Sequence, residues 1–155
     1  MPMLGKDAKT YYSSSLLNAT DSTTIRALTW TEVDHIVDET DNFNAEVVDV
    51  TTRAQASTGF GASVAVLNNI EVTFSYIKEV SDTVWDALWT AIQTPNTPIA
   101  LLFLSGAKAT TTNIGFCANW TFNLNWEKAV KGVQTTNFTA RVYTFPAYTV
   151  GHADL

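Results

Sequence analysis

The chain carries few groups suited to covalent chemistry. Cys117 is its only cysteine, so no intrachain disulfide can form and no cysteine cluster can hold zinc. It has two histidines, His35 and His152, and neither sits at the spacing of a Ser-His-Asp, Cys-His or His-x-x-x-His arrangement. His35 therefore reads as a surface or packing residue. Cys117 reads as a small packing residue on the less apolar face of a strand. Gly59-Phe60-Gly61 is no phosphate loop, because the Lys-Ser/Thr ending is missing and no helix follows. No cofactor or metal site, and no enzyme, is expected.

Charge is also scarce. Asp, Glu, Lys and Arg make up 15% of the chain, against about 25% in an ordinary globular protein. The net charge of −6 argues against a nucleic-acid binder that neutralises phosphates. No apolar run approaches the ~18 residues of a membrane helix, the longest being Ile99 to Leu104. The opening Met1 to Lys9 lacks a signal-peptide run, and the expectation is a soluble protein of the cytoplasm with no membrane contact. Asn-x-Ser/Thr matches at Asn18, Asn119 and Asn137 are the chance yield of so much Asn and Thr, and glycosylation is not expected.

Apolar alternation is what the chain has in quantity. From Ile114 to Trp126 every second residue is apolar: Ile114, Phe116, Ala118, Trp120, Phe122, Leu124 and Trp126. Successive strand residues point to opposite faces, so this spacing predicts a long strand with one heavily aromatic side. Its other side is small or polar, with Gly115, Cys117, Asn119, Thr121, Asn123 and Asn125. That side suits a subunit contact or a wetted wall.

The same period predicts strands at Thr10 to Tyr12, Phe43 to Thr51, Ile70 to Tyr76 and Phe138 to Phe145. Ile99 to Leu104 is continuously apolar and predicts a strand buried on both faces. Ser81 to Thr94 changes period. Val84, Trp85, Leu88, Trp89 and Ile92 fall within an arc of about 140° at 100° per residue. Ser81, Asp82 and Thr83 offer caps and Pro95 a stop, so one helix is expected over 81–94, its tryptophans covering the aromatic strand. Ser13 to Thr24 reads as an exposed loop. Leu28 to Val37 reads as a kinked strand, Asp38 to Asn42 as a turn, and the segments around that turn as a hairpin. Ser105 to Thr112 and Lys128 to Gln134 read as turns. About 52–63 reads as an exposed loop of functional length, and about 146–155 as a loose tail on a single domain, 1–155.

One segment is acidic: Glu32, Asp34, Asp38, Glu39, Asp41, Glu46 and Asp49 hold seven of the fifteen acids with no Lys or Arg between them. The spacing does not follow an EF-hand. A solvated hairpin is the plain reading, and a surface kept negative so that DNA does not stick is the functional one.

The order of these parts resembles the tail tube proteins of long-tailed bacteriophages and of gene transfer agents. Leu4-Gly5-Lys6-Asp7-Ala8 and Glu46-Val47-Val48-Asp49-Val50-Thr51-Thr52-Arg53 carry the likeness most clearly. The resemblance implies a mainly β fold, an antiparallel sandwich or barrel of two packed sheets with one flanking helix. It also implies homo-hexameric rings, stacked into a hollow tube that conducts DNA during genome ejection, with tape measure and tail terminator proteins as partners. Glu32, Asp34, Asp38 and Glu46 become candidate lumen-facing acids, and Arg53, Gln55 and Phe60 a candidate inter-subunit loop. The tail of the virion, assembled in the host cytoplasm, becomes the expected location. The alternatives are a β-sandwich module binding carbohydrate or protein, and a ring protein of a contractile injection or secretion system.

Overall fold

The structure is a computed structural model that describes residues 7–18, 21–49, 63–94, 97–143, 148–151 and 155. In chain order these form β1 (Lys9–Ser13), α1 (Ser22–Ala27), β2 (Thr31–Glu32), β3 (Ile36–Asp49) and β4 (Ser63–Ile77). There follow α2 (Thr83–Gln93), β5 (Ile99–Leu104), β6 (Ile114–Glu127), β7 (Thr135–Val142) and β8 (Tyr148–Gly151). Among the described residues the strands form one antiparallel sheet, ordered β2-β1-β5-β6-β7-β4-β3, with β8 also on β6.

The two ends of that order are neighbours in the chain, since β2 stops at Glu32 and β3 starts at Ile36. A flat sheet cannot satisfy this, so the sheet rolls. The Val33 amide extends the β1–β2 ladder by donating to the Thr10 carbonyl at 2.8 Å, and across the closure Thr10 Oγ1 donates to Glu39 of β3. The Phe43 ring meets the Phe116 ring edge-on at 5.2 Å. The two packed layers expected from the sequence are thus the two halves of one curled sheet.

β6 is the shared wall, as its alternation predicts. Between the layers Trp120 is buried with Phe74, Tyr76, Phe103, Phe138 and Leu88. α2 covers the far end of the aromatic face, where Trp126 lies 4.7 Å from Trp85 and 5.6 Å from Trp89. Full burial of each such side chain stabilises the fold by roughly 1.5–3 kcal/mol. Asp82 caps α2, its Oδ1 accepting from the Trp85 amide at 3.0 Å. Trp85 Nε1 donates to Thr136 Oγ1 at 3.1 Å, whereas Trp120 Nε1 and Trp126 Nε1 are buried without a hydrogen-bond partner among the described residues.

β5 is buried at every position, as its unbroken apolar run predicts. Ile99, Leu101 and Phe103 face the aromatic cluster. Ala100, Leu102 and Leu104 face a second cluster with Tyr11, Leu17, Ile25 and Cys117. That second cluster corrects the exposed loop expected over Ser13 to Thr24. Leu17 and Ile25 are buried, and Ser22–Ala27 forms a helix capped by Asp21, whose Oδ1 accepts from the Thr24 amide at 2.7 Å. The helix is too short to show a period. The segment is tied down by Asn119 of β6, whose Oδ1 accepts from the Leu17 amide and whose Nδ2 donates to the Leu17 carbonyl, both at 2.9 Å.

Three further expectations change. Asp38 to Asn42 is no turn: these residues lie inside β3 and pair with Ser75 to Glu71 of β4. The kinked strand over Leu28 to Val37 reduces to Thr31–Glu32 and the start of β3, so no hairpin is built around 38–42. β3 pairs instead with β4, through register shifts after Ile36 and Glu46. Part of the expected tail is ordered as β8, with Tyr148–Gly151 pairing with Cys117–Ile114. The loop expected at 52–63 lies outside the described residues up to Ser63.

Strands β5 and β6 approach so closely at Gly115 that a Cβ there would stand 1.9 Å from the Phe103 carbonyl oxygen. Gly115→Ala is expected to cost roughly 1–3 kcal/mol or more, through forced backbone movement. Asn119→Ala is expected to cost about 1–3 kcal/mol for each buried Leu17 group it orphans. Urea midpoints measure both, and a wild-type midpoint in either variant contradicts the assignment.

Candidate assembly surfaces

The acids singled out in the sequence spread over several settings. Glu32 on β2 makes an ion pair with Lys9, so it is not a bare negative charge. Asp34 lies in the turn after β2 with its side chain 61% exposed and 3.6 Å from His35 Nε2. Asp38 is exposed on β3. Glu46 is in the same strand, paired with Leu67. Arg53, Gln55 and Phe60 lie outside the described residues.

Sequence reasoning missed the acids on the opposite face of β3. Glu39, Asp41 and Phe43 alternate along the strand and line a groove of about 400 Å³ with Phe103, Leu104, Ile114, Gly115 and Phe116. The period-two spacing was present in the sequence but was masked by the turn reading of 38–42. Burial pushes the Glu39 carboxyl up to about 7, with repulsion from Asp41 adding to it and the Thr10 hydroxyl opposing it. Burial also raises Asp41. Among the described residues no Lys, Arg or His forms an ion pair with either.

The opposite end of β6 has a different character. Lys128 Nζ stands 3.9 Å from the Trp126 ring centre, and Lys78 Nζ stands 3.7 Å from that of Trp85. The 128–134 turn is exposed throughout, with Val130 100% and Val133 58% open to solvent. Val80, in the neighbouring turn, is 96% exposed.

His35 joins a compact polar cluster where the sheet closes. The Tyr76 hydroxyl donates to Asp82 Oδ2 at 2.7 Å, and His35 Nδ1 lies 3.4 Å from the same oxygen. Burial disfavours charge on His35, but the bond to Asp82 and the carboxylates of Asp34 and Glu79 outweigh it and hold its pKa above the usual imidazole value. Burial likewise opposes the Asp82 charge, yet the Trp85 amide, Tyr76 and His35 together hold its pKa below the ordinary carboxylate value. Each Asp82 oxygen is already engaged, one by the α2 amide and one by Tyr76. The cluster is a clamp, consistent with reading His35 as a packing residue.

β3 is paired along one side only: its sole strand partner among the described residues is β4. Among the described residues no strand pairs with its other edge, which is flanked by exposed Val37 and Phe43. Such an edge invites pairing with another chain.

No protein-family model matches the sequence, and no curated protein matches it. Solved structures do match the fold. The SPP1 tail tube structure superposes with a TM-score of 0.71 over 97% of this chain and 80% of the other, at 12% identity. The tail of an empty gene transfer agent particle, refined with C6 symmetry, gives 0.68 over 97% and 98%, at 13% identity. The chain has a tail tube fold. A chain of the native gene transfer agent virion adds a TM-score of 0.64 over 97% of this chain and all of the other, at 11% identity. In this tail tube fold the mainly β architecture with the α2 helix is as the sequence predicts, and α1 is an addition.

The titrating groups set a pH dependence. Asp82 contributes stability that is present above the ordinary aspartate pKa and lost as pH falls through its depressed folded value. His35 contributes stability present below the ordinary imidazole pKa and lost as pH rises through its raised folded value. Glu39 contributes stability present below 4.5 and lost as pH rises through about 7. The urea midpoint of the isolated protomer is therefore expected to fall between about pH 5 and pH 8, and Glu39→Gln to flatten that fall. A midpoint flat over this range, or an equal fall in the variant, contradicts these assignments.

Proposed function

We propose that this chain is the structural protomer of a tail tube, a single domain that assembles into homo-hexameric rings stacked as a hollow tube. The observation that carries the reading is the superposition on the SPP1 tail tube over 97% of the chain. The sixfold symmetry of the gene transfer agent tail supports six copies per ring. The outer edge of β3, which no strand pairs among the described residues, supports joining of sheets between neighbours, since it is long and bordered by exposed apolar side chains. The low charge of the chain suits large contact areas, because charged residues are depleted from interface cores.

In this reading DNA passes through the lumen without specific binding, and acids on the wall repel its phosphates. Asp38 and Asp34 are the exposed candidates for that wall, and Glu46, further along β3, is the remaining one. Glu32 contributes less because Lys9 neutralises it. Arg53, Gln55 and Phe60 are proposed to reach a neighbouring subunit. The tape measure and tail terminator are the expected partners, and the tail of the virion is the working location.

Negative-stain electron microscopy of the purified chain is expected to show rings and tubes. Protein that stays monomeric in sedimentation across concentration and salt contradicts the proposal.

A further inference from the structure

The groove at the start of β6 and the turn at its end are unlike, and each has what the other lacks. β6 runs fourteen residues from Ile114, which lines the groove, to Glu127, which opens the turn. At about 3.3 Å per residue, roughly 45 Å separates them. The groove presents Phe43, 61% exposed, beside two carboxylates held in apolar surroundings without an ion-pair partner among the described residues. The turn presents Lys128 and Lys131 around the fully exposed Val130, with no acid from 128 to 134.

We propose that these are the two halves of one contact between copies of this chain. The β6–β7 turn of one copy seats against the groove of Glu39, Asp41 and Phe43 on the next. The lysines supply cations to two carboxylates that have no ion-pair partner among the described residues, and the ammonium favours the charged form that the apolar surroundings disfavour. Val130 covers the open face of Phe43. Glu79 and Glu127 make the turn's end mixed in sign, so the local excess of cations belongs to the turn itself. The Thr10 hydroxyl already holds the Glu39 carboxylate in place, so little ordering is needed on that side.

Because the two surfaces differ and lie at opposite ends of β6, the contact is heterologous and, in the proposed stack, repeats from one ring to the next along the strand direction. This is the geometry of a stack. The proposal rests on the tube reading and names the residues that join one ring to the next.

The test uses the full-length chain in about 0.15 M salt, where exposed charges beyond roughly 8 Å are screened but a direct contact is not. Wild-type protein is expected to form tubes. Lys128→Glu with Lys131→Glu, and separately Asp41→Lys, are expected to give rings that do not stack. The triple variant is expected to regain tubes. All changed positions are exposed, and far-ultraviolet circular dichroism verifies that each variant is folded. Tubes of wild-type length from the double lysine variant, or a triple variant that does not recover, overturn the contact while leaving the tube reading intact. Wild-type protein that forms neither rings nor tubes overturns the tube reading, and the contact with it.

Discussion

The side chains of Asn119 and Trp120 leave β6 in opposite directions, and both are buried. That single pair of neighbours ties the two halves of the molecule together. Trp120 packs among the aromatic residues between the rolled layers. Asn119 reaches outward and binds both polar groups of Leu17, which pins the segment leading into α1. A polar residue serves here where an apolar one would fail, because the chain it holds is irregular and its backbone needs partners.

Roll and closure follow from the same economy. The link from Val33 to His35 joins the two extreme strands of the sheet, so its ends come together at that corner. Where the closure is tightest the fold uses polar contacts: Tyr76, His35 and Asp82, with Asp82 also starting α2. One carboxylate thereby couples the sheet seam to the helix that roofs the core. β3 remains the exception, long and paired on one side.

Much of this was legible in the chain because period and burial coincide. The aromatic alternation of Ile114 to Trp126, the unbroken run of Ile99 to Leu104 and the helical arc from Val84 to Ile92 each specify an element and its covered face. The failures share a cause. Asp38 to Asn42 has turn-forming residues, but ladder partners in β4 decide its conformation, and tertiary pairing overrides local preference. Ser13 to Thr24 has too few apolar residues to show a period, yet Leu17 and Ile25 find a ready surface on β5 and Cys117. The candidate surfaces were harder to read, since Glu39 and Asp41 became distinct from Asp38 only once the strand separated its two faces. The basic turn offered no motif at all.

The order in which the strands are made has its own consequence. β1 pairs with β2 on one edge, but its other edge is hydrogen-bonded to β5, with Lys9 opposite Leu104, so that edge waits for a partner synthesised some ninety residues later. At ribosomal rates of 5–20 residues per second that wait is roughly 5–18 s. The strand that waits is Lys-Thr-Tyr-Tyr-Ser, which is polar and mild. The strand with the greatest appetite for other chains, Ile-Ala-Leu-Leu-Phe-Leu, emerges late, and β6 follows it after a short turn. The nascent chain thus exposes its most adhesive segment only when the strands that cover it are about to arrive. Such timing keeps premature association off the nascent chain.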